Sequence, residues 1–426
     1  MKPSVTRRIY HDPLHGAILL DSRDPTEHLL IQLIDTPAFQ RLRRIRQLGP
    51  ASLTFHGAEA SRFTHSLGVM TIARRAFDRL SQLHPVLIPY RPVVLCAALL
   101  HDIGHGPFSH TGEELFGIHH ETWTRRILRE TVVIRQLIDG FDPELLDQIE
   151  QVYLKQHPIP ALWQLVTSQL DCDRLDYLMR DSYFTGTSYG RLDLDRILMS
   201  MEYDPITQQL VVVQKGMTAV EHYLIVRSFM YTQVYNHAKN LAASWGLERA
   251  FQRAREHLAT GELWADEVIK AWLGIKALDP IDSTSPNQPL SLHYYLAADD
   301  GVMYYHLQRW QYHSDPILAD LCRRFIHRDL LKAMDLSHYG SNSQKEMLQR
   351  VFQKLEDIGL APSYYAGLRI SVSSGYTLYQ RGINILTEKG LQEITDLSPL
   401  VQALVQPLQK TWLIYPREIE NHLENG

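Results

Sequence analysis

The sequence predicts a mainly α-helical fold with small β-hairpins and a small α/β appendage at the C-terminal end. Apolar residues recur at helical spacing from about residue 26 to residue 334, and a short extended segment near Leu210 interrupts them. The pattern changes after about residue 336, where short β-type runs appear. We therefore expect a helical domain over residues 1–335 and an α/β lobe over residues 336–426.

Turn and capping signals divide the chain into elements. Residues 7–20 read as a hairpin, and Pro37 opens a second helix within the periodic segment 26–48. Further helices are expected over residues 64–82, 91–103, 120–170 (several) and 217–258. A Pro- and Ser-rich loop is expected over residues 279–291, then helices to about residue 334, and then strands at Leu368–Val372 and Tyr376–Tyr379.

The composition argues against several classes of protein. The chain has 426 residues with 43 Lys+Arg against 48 Asp+Glu, so its net charge of −5 gives no strong nucleic-acid signal. The longest apolar run, Val93 to Leu100, is too short to span a bilayer, and the polar N-terminus lacks the apolar core of a signal peptide. The 3 cysteines are far apart and show no disulfide or zinc-ribbon spacing. We expect a soluble cytoplasmic protein that does not enter membranes.

One stretch carries the strongest functional signal, residues 98–110, which read Ala-Leu-Leu-His-Asp-Ile-Gly-His-Gly-Pro-Phe-Ser-His. It places His101 beside Asp102 at the end of an apolar helix, where imidazole and carboxylate can turn toward one divalent metal. Because a bound metal lowers the pKa of water from about 15.7 to roughly 7, the stretch predicts a metal-dependent hydrolase. A lone His-Asp pair is a weak signal, and we assign the other one, His11-Asp12, to a turn beside Pro13.

We predict that three helices supply the ligands of one divalent metal ion. The candidate ligands are His65, His101, Asp102 and Asp173. Imidazole and carboxylate without thiolate suit Mn, Fe, Zn, Co or Ni, and Mg is a less typical choice. The alternative for His65 is a structural role, because a lone histidine near a helix start is more often a cap or a core donor.

The helix that contains Asp173 has a narrow polar face. At 100° per residue, Asp173, Arg174, Tyr177 and Asp181 fall within about 100° of one another. A solvated surface is the alternative explanation of this face. Asp176 and Arg180 lie outside that face as an i,i+4 pair, to which we assign a structural role.

A second helix presents a comparable face. Arg227, Tyr231 and Tyr235 fall within about 80° on it. Such a tyrosine stripe is also common in cores and interfaces, so the pattern alone leaves both interpretations open.

At these residues the chain resembles the HD-domain deoxynucleoside triphosphate triphosphohydrolases, the group of the bacterial dGTPase-like enzymes and the mammalian SAM- and HD-domain dNTP hydrolase. The resemblance runs from about Arg8 to Met334. Its segments are His11-Asp-Pro-Leu-His-Gly, residues 34–43, Gln47-Leu-Gly, Ser61-Arg-Phe-Thr-His-Ser-Leu-Gly, residues 100–110, His120-Glu and residues 170–181. It implies an HD-domain helical core and a reaction in which water attacks the α-phosphorus of a dNTP and releases inorganic triphosphate.

The resemblance also implies roles for individual residues. The family's metal ligands match the four candidates above. Its catalytic residues match His105, His110 and His120, with Glu113 orienting one of these histidines, and its phosphate-binding residues match Arg62, Arg174 and Arg227. Its sugar-binding residues match Gln47, Leu48, Tyr177, Asp181 and Tyr235, and the last of these would crowd the 2′ position and exclude ribose.

Regulation and assembly are implied in the same way. The residues that read a guanine activator in the family match Asp35, Gln40 and Arg43, so GTP or dGTP is the expected activator. Family members assemble as tetramers or hexamers, and we expect a homo-oligomer, with a tetramer as the family analogy. Two alternatives stay open: an HD-type phosphodiesterase or nucleotidase acting on another phosphoester, and a catalytically silent nucleotide-binding regulatory protein.

Overall fold

The computed structural model describes residues 7–275, 290–377 and 382–422, and the fold is mainly α-helical with small sheets, as predicted. Local sequence signals set several helix starts. Asp24 and Thr36 cap helices whose first residue is a proline, and Ser61 and Asp171 cap the two helices that carry His65 and Asp173. These caps fix the starts of the helices that later form the site.

The described residues form α-helices in the following order: α1 Pro25–Ile34, α2 Pro37–Gln40, α3 Arg62–Leu83, α4 Arg91–Leu100, α5 Ser109–Phe116, α6 His120–Glu130, α7 Val132–Phe141, α8 Leu145–Tyr153, α9 Pro160–Val166, α10 Cys172–Thr185, α11 Leu194–Ser200, α12 Met217–Met230, α13 Ala238–Ala259, α14 Glu267–Leu273, α15 Leu292–Ala297, α16 Asp300–Trp310, α17 Pro316–Ile326, α18 Ser341–Asp357, α19 Pro362–Tyr365, α20 Ile394–Leu397 and α21 Pro399–Leu404. Short 3₁₀ helices occur at Arg41–Arg44, Gly49–Leu53, Pro85–Tyr90, Gln214–Gly216 and Arg417–His422, and a π-helical turn lies at Tyr231–Tyr235.

The strands are β1 Arg7–Asp12, β2 Gly16–Asp21, β3 Met201–Asp204, β4 Gln209–Val213, β5 Lys332–Asp335, β6 Gly367–Ser373, β7 Asn384–Thr387, β8 Gly390–Glu393 and β9 Leu408–Tyr415. They form an antiparallel β1-β2 hairpin, a four-stranded sheet in the order β3-β4-β7-β8 and a three-stranded sheet in the order β5-β9-β6. Strand β4 pairs in parallel with β7, and β5 pairs antiparallel with β9.

The core is built around α4, whose residues from Val93 to Leu100 are all buried. This apolar run, too short for a membrane, is the buried helix against which α1, α3, α8 and α9 pack. Within the described ranges, no helix has both the length and the apolar character that a bilayer span requires. The cysteines Cys96, Cys172 and Cys322 are buried and free, so they serve the core as small apolar side chains.

The hairpin predicted at residues 7–20 is present, and the extended segment predicted near Leu210 is strand β4, which forms a hairpin with β3. Three details differ from the predictions, and a fourth prediction is largely untested. Residues 332–335 form strand β5 instead of continuing a helix, because they pair with β9. Helical structure after Pro37 ends at Arg44, so residues 45–48 are not helical. Of the strand expected at residues 376–379, the described residues 376 and 377 are not part of a strand. Most of the loop expected at residues 279–291 lies outside the described residues.

Strands from both sides of residue 335 share two sheets. The four-stranded sheet joins β3 and β4 to β7 and β8, and the three-stranded sheet joins β5 to β6 and β9. Backbone hydrogen bonds therefore join the residues on the two sides of residue 335. The division into domains 1–335 and 336–426 stays a prediction.

Candidate metal centre

Three helices bring the four predicted metal ligands together. His65 lies in the first turn of α3, His101 and Asp102 directly follow α4, and Asp173 lies in the first turn of α10. Helix α3 packs against both α4 and α10, so residues far apart in the sequence meet at one point. The distance between His65 and Asp173 is 3.1 Å from Nε2 to Oδ1.

The other donor atoms are equally close. The Nε2 atoms of His65 and His101 are 3.3 Å apart, and Oδ2 of Asp102 is 3.6 Å from His65 Nε2. Oδ1 of Asp102 and Oδ1 of Asp173 lie 3.3 Å and 3.7 Å from His101 Nε2. Ligand atoms about 2.1 Å from one ion are separated by about 3.0–3.4 Å in tetrahedral or octahedral geometry. These four side chains, which we call the donor set, therefore fit a single divalent ion with small adjustments.

Hydrogen bonds to the Nδ1 atoms orient both imidazoles. His101 Nδ1 donates to the carbonyl of Ala98 at 2.8 Å, and His65 Nδ1 donates to Asp176 Oδ2 at 2.8 Å. Each Nε2 atom therefore points toward the other donors, in the arrangement by which outer residues orient metal-ligating histidines. Burial opposes protonation of His65, but Asp173 and Asp176 outweigh it and raise its pKa to about 10. The carboxylates therefore make the electrostatic potential at His65 negative, which favours a cation there.

A group of three imidazoles lies beside the donor set. His105 is 1% exposed and stacks on His120 with ring centroids 3.9 Å apart, and its Nε2 is 3.4 Å from Asp102 Oδ1. Glu113 binds Nδ1 of His120 at 2.7 Å and Nδ1 of His110 at 2.6 Å. Burial opposes ionisation of Glu113, but the two histidines outweigh it and hold the pKa of that carboxyl well below its usual range. His110, with 67% of its side chain exposed, lies at the solvent edge.

Two of the three predicted phosphate-binding arginines keep a nitrogen without a partner. Arg174 is bound by Asp171, and Arg227 donates to Gln169 Oε1 at 2.8 Å, but the Nε atoms of both are buried without a hydrogen-bond partner among the described residues. Arg62, the third of these arginines, has three hydrogen-bond partners. Its guanidinium donates to Asp102 Oδ2 at 2.6 Å, to Ser109 Oγ at 3.0 Å and to the carbonyl of Gln47 at 3.2 Å.

Among the predicted sugar-binding residues, Tyr235 contacts both Asp181 and Tyr177. Tyr235 donates to Asp181 Oδ2 at 3.0 Å, and the rings of Tyr177 and Tyr235 meet edge to face at 6.1 Å. Asp181 is 2% exposed, and burial raises its pKa to about 7. Gln47 is buried and Leu48, next to it, is half-buried. Tyr235 ends the π-helical turn that follows α12, a local distortion that is frequent at functional sites.

Several buried polar atoms in this region have no hydrogen-bond partner among the described residues: Oε1 of Gln47, both ring nitrogens of His105, Oδ1 of Asp181, and Nε of Arg174 and Arg227. Buried polar groups are nearly always paired in native proteins because an unpaired one costs about 1–3 kcal/mol. A polar ligand bound beside the donor set would supply partners for these atoms.

The residues predicted to read a guanine activator form a separate surface cluster. Asp35 is bound by Arg8, whose Nη1 lies 2.5 Å and 2.6 Å from the two carboxylate oxygens. Gln40 donates to the carbonyl of Ile34 and accepts from Arg43 Nε, both at 2.7 Å, and the Arg43 guanidinium lies 3.5 Å from the ring centroid of Phe63. The cluster borders the site through Phe63, which precedes His65 by two residues.

Sequence reasoning missed the network that supports the donor set. Asp176, which we assigned to a structural pair with Arg180, binds His65 through Oδ2 and His15 Nε2 through Oδ1 at 2.6 Å. Arg180 binds Asp176 at 2.7 Å and Asp12 at 2.8 Å, and Asp12 also accepts from the backbone of the first hairpin. Asp12 and His15 in that hairpin were the available signal, but their partners Arg180 and Asp176 lie 168 and 161 residues later in the sequence.

Glycine is required where α3 crosses this network. A Cβ atom at Gly68 would come within 2.0 Å of Asp176 Oδ1 and 2.5 Å of Arg180 Nη2. We expect Gly68→Ala to lower the free energy of unfolding by roughly 1–3 kcal/mol, because it displaces a packed ionic pair. Denaturant unfolding measures the change.

Gly246, in the middle of α13, is the matched control. A Cβ atom there meets nothing within 4 Å, so Gly246→Ala should stabilise the protein by up to about 1 kcal/mol. If Gly68→Ala were also stabilising, the close approach of α3 and α10 would be contradicted.

Comparison with known proteins agrees with this geometry. The HD domain family model matches residues 62–173, the range that contains all four donors, and the HD associated region matches residues 192–270. The uncharacterized protein YwfO of Bacillus subtilis is 34% identical over 97% of this chain and 93% of its own length. A crystal structure of a phosphohydrolase from Bacteroides thetaiotaomicron superposes with a TM-score of 0.82 at 30% identity, covering 96% of this chain and 100% of that one.

These similarities show that the chain belongs to the HD-domain phosphohydrolase family. A more distant relative is the deoxynucleoside triphosphate triphosphohydrolase SAMHD1 of Danio rerio, which is 28% identical over 59% of this chain. The match spans 46% of that relative's own length, about half of it. A homolog of the same enzyme from Dictyostelium discoideum is 30% identical over 61% of this chain and 52% of its own length.

Proposed function

We propose that the protein hydrolyses deoxynucleoside triphosphates to deoxynucleoside and inorganic triphosphate in a metal-dependent reaction. The observation that supports this most directly is the convergence of the four donor side chains, together with buried polar atoms of two arginines and of Asp181 that have no partner among the described residues. Metal ligands, phosphate ligands and a sugar ligand are the three kinds of group that such a substrate requires. The similarity to dNTP triphosphohydrolases over about 60% of the chain supports the same choice.

His65, His101, Asp102 and Asp173 hold one divalent ion in this proposal. Mn, Fe, Zn, Ni, Co and Mg are the candidates, and the imidazoles favour the transition metals. Such an ion would supply Lewis-acid polarisation of a phosphate oxygen and a more acidic water. The residues around the donors perform the remaining steps.

Arg174 and Arg227 bind the phosphate chain. Asp171 holds Arg174 and Gln169 holds Arg227, and each arginine keeps an Nε–H without a partner in the described part of the chain, so the planar fork is oriented before the substrate arrives. In this proposal Arg62, which is paired with the metal ligand Asp102, also contacts the phosphate chain. These positive charges offset the charge of a triphosphate on an acidic protein.

His120 is the proton donor for the leaving 5′-oxygen. Water attacks the α-phosphorus, the bond between that phosphorus and the 5′-oxygen breaks, and the proton goes to the nucleoside oxygen. Burial opposes protonation of His120, but Glu113 outweighs it and raises the pKa of this histidine, which favours the protonated form that a proton donor requires. His105, stacked on His120, and His110, on the far side of Glu113, complete the proton-transfer group.

The deoxyribose lies against Gln47, Leu48, Tyr177 and Asp181. Gln47, Tyr177 and Asp181 bond the 3′-hydroxyl, for which Gln47 Oε1 and Asp181 Oδ1 are the unpaired atoms. With a pKa near 7, the Asp181 carboxyl is able both to donate and to accept a hydrogen bond. Tyr235 closes the pocket at the 2′ position.

Removal of the Tyr235 ring is expected to admit ribonucleotides. In Tyr235→Ala the preference for dATP over ATP, as the ratio of kcat/KM values, should fall by about 10–200-fold, because the steric barrier at the 2′ position is lost. Tyr235→Phe keeps the ring, removes the hydroxyl that binds Asp181, and should keep the preference. Release of inorganic triphosphate from each nucleotide measures both variants, and an unchanged rejection of ATP in Tyr235→Ala would refute the steric role.

In this proposal GTP or dGTP binds the surface cluster of Asp35, Gln40 and Arg43 and activates a cytoplasmic homo-oligomer. The Asp35 carboxylate suits the N1 and N2 donors of guanine. The tetramer is taken from family analogy.

A panel of the four dNTPs with Mn, Fe, Co, Ni, Zn and Mg, with and without GTP, tests the function. Inorganic triphosphate is the expected product. Release of phosphate or pyrophosphate instead would favour the phosphodiesterase or nucleotidase alternative. No turnover in any combination of metal-loaded protein and nucleotide would favour a silent nucleotide-binding regulator.

A further inference from the structure

The loop between α4 and α5 carries His105 and cannot hold its shape by itself. Residues 101–108 have no regular secondary structure, and Phe108 and Ser109 have left-handed φ angles of 61° and 54°. Such angles are strained for residues other than glycine and persist only where the surroundings impose them. The groups that clamp this loop therefore decide where the His105 ring lies.

Arg41 is one of these clamps. Its guanidinium donates to the carbonyl of His105 at 2.7 Å, to that of Ile103 at 3.1 Å and to that of Ala298 at 3.2 Å. The side chain is 1% exposed and makes no ion pair with a carboxylate among the described residues, and its Nε is also unpartnered there. A buried guanidinium whose hydrogen bonds go to carbonyls, with no directly paired carboxylate among the described residues, is costly, so packing alone is a poor reason for arginine at this position.

The other clamps come from elements away from the surface cluster. Tyr295 of α15 donates to the carbonyl of Gly104, Asp300 of α16 accepts from the backbone N–H of Phe108 at 2.8 Å, and Thr124 of α6 accepts from that of Gly104 at 3.0 Å. None of these three contacts involves the short helical segment Pro37–Arg44.

Arg41 joins the loop to the surface cluster because it lies between two members of that cluster. Gln40 precedes it, Arg43 follows it by two residues, and the three share the turn where α2 passes into the 3₁₀ helix Arg41–Arg44. Gln40 and Arg43 are hydrogen-bonded to each other on the surface, whereas Arg41 points into the core. A ligand that moves this turn must also move the guanidinium that holds the His105 carbonyl.

We propose that Arg41 is a positioning residue that couples occupancy of the Asp35, Gln40 and Arg43 cluster to the position of His105. The inference rests on the proposed function, since it assumes that a guanine nucleotide binds that cluster. It adds a route by which binding at the surface reaches the proton-transfer group, through one side chain and two backbone carbonyls of the same loop.

Arg41→Lys tests the coupling in the full chain. Lysine keeps the charge but cannot reach three carbonyls with a planar fork. We expect GTP binding, measured by calorimetry, and the KM for the dNTP to stay within about twofold, while the GTP-stimulated increase in kcat falls by about tenfold. Arg44→Lys is the control on the same 3₁₀ helix, because Arg44 binds Asp299 instead of the loop, and it should respond to GTP like the wild type.

Hydrogen–deuterium exchange of the wild type keeps the test independent of the folding of any variant. GTP is expected to change the protection of amides in residues 103–108. Unchanged protection there with GTP bound, or full stimulation of Arg41→Lys, would overturn the coupling, as would loss of GTP binding in that variant. A wild type that releases triphosphate but does not bind GTP overturns the coupling and leaves the hydrolase intact. If the wild type binds GTP but never releases triphosphate, the proposed hydrolase activity is refuted instead. The exchange measurement still decides whether GTP binding at the surface cluster affects residues 103–108.

Discussion

Replacement of His101 by alanine is expected to remove bound metal and turnover together while the helices remain folded. His101 is held by the carbonyl of Ala98 with its Nε2 within 3.3 Å of both His65 Nε2 and Asp102 Oδ1, so its loss opens the donor set without unpairing a buried charge. Metal content per chain, triphosphate release and circular dichroism measure the three expectations. Asp102→Ala should lose metal in the same way, although it also unpairs the buried Arg62.

His84→Ala is the matched control for a histidine outside the site. His84 Nε2 is 2.7 Å from Glu202, so the variant removes a histidine–carboxylate contact outside the donor set. It should keep its metal and its activity. Wild-type metal content and normal turnover in His101→Ala would contradict the assignment of the metal centre.

Asp176→Asn is expected to weaken both the fold and the metal centre. The Asp176 carboxylate is completely buried and binds His65, His15 and Arg180, so its neutralisation leaves the buried guanidinium with Asp12 alone. Breaking a buried pair costs about 3–5 kcal/mol, and loss of a partner that orients a metal ligand costs about 10–100-fold in metal affinity. Denaturant unfolding and metal titration measure the two effects.

Asp139→Asn gives the comparison with an exposed pair. Asp139 and Arg135 also form an i,i+4 pair, at 2.6 Å, but their side chains are 36% and 45% exposed. Such pairs contribute about 0.3–0.5 kcal/mol, so this variant should be nearly neutral and keep its metal affinity. Equal effects of the two substitutions would show that Asp176 has no special role in orienting His65.

The sequence was most informative where a function needs contiguous residues. The run around His101-Asp102 predicted donors at the end of a buried helix, and the HD domain match over residues 62–173 and the His/Asp cluster agree with it. The helical wheel of residues 173–181 placed Asp173 and Asp181 on one side, and they face the donor set and Tyr235, respectively. Local periodicity and short motifs are sufficient for such features because their geometry depends on neighbours in the chain.

Features that depend on long-range contacts were not predictable in the same way. Asp176 and Arg180 have the spacing of an ordinary surface pair, and only the packing of α10 against α3 and the first hairpin turns them into partners of His65 and Asp12. Strand β5 was missed because its pairing partner, β9, lies about 75 residues later. Arg41 gave no signal either, since its three acceptors are backbone carbonyls.

The two sheets that join strands from both sides of residue 335 have a consequence for how this chain can be shortened. β4 pairs in parallel with β7 and, among the described strands, β5 pairs with β9 alone, so a chain that stopped after residue 335 would expose unpaired amide and carbonyl groups along both strands. Bare strand edges invite association with other chains. Removal of the residues after 335 from this chain is therefore expected to promote self-association through the two bared edges.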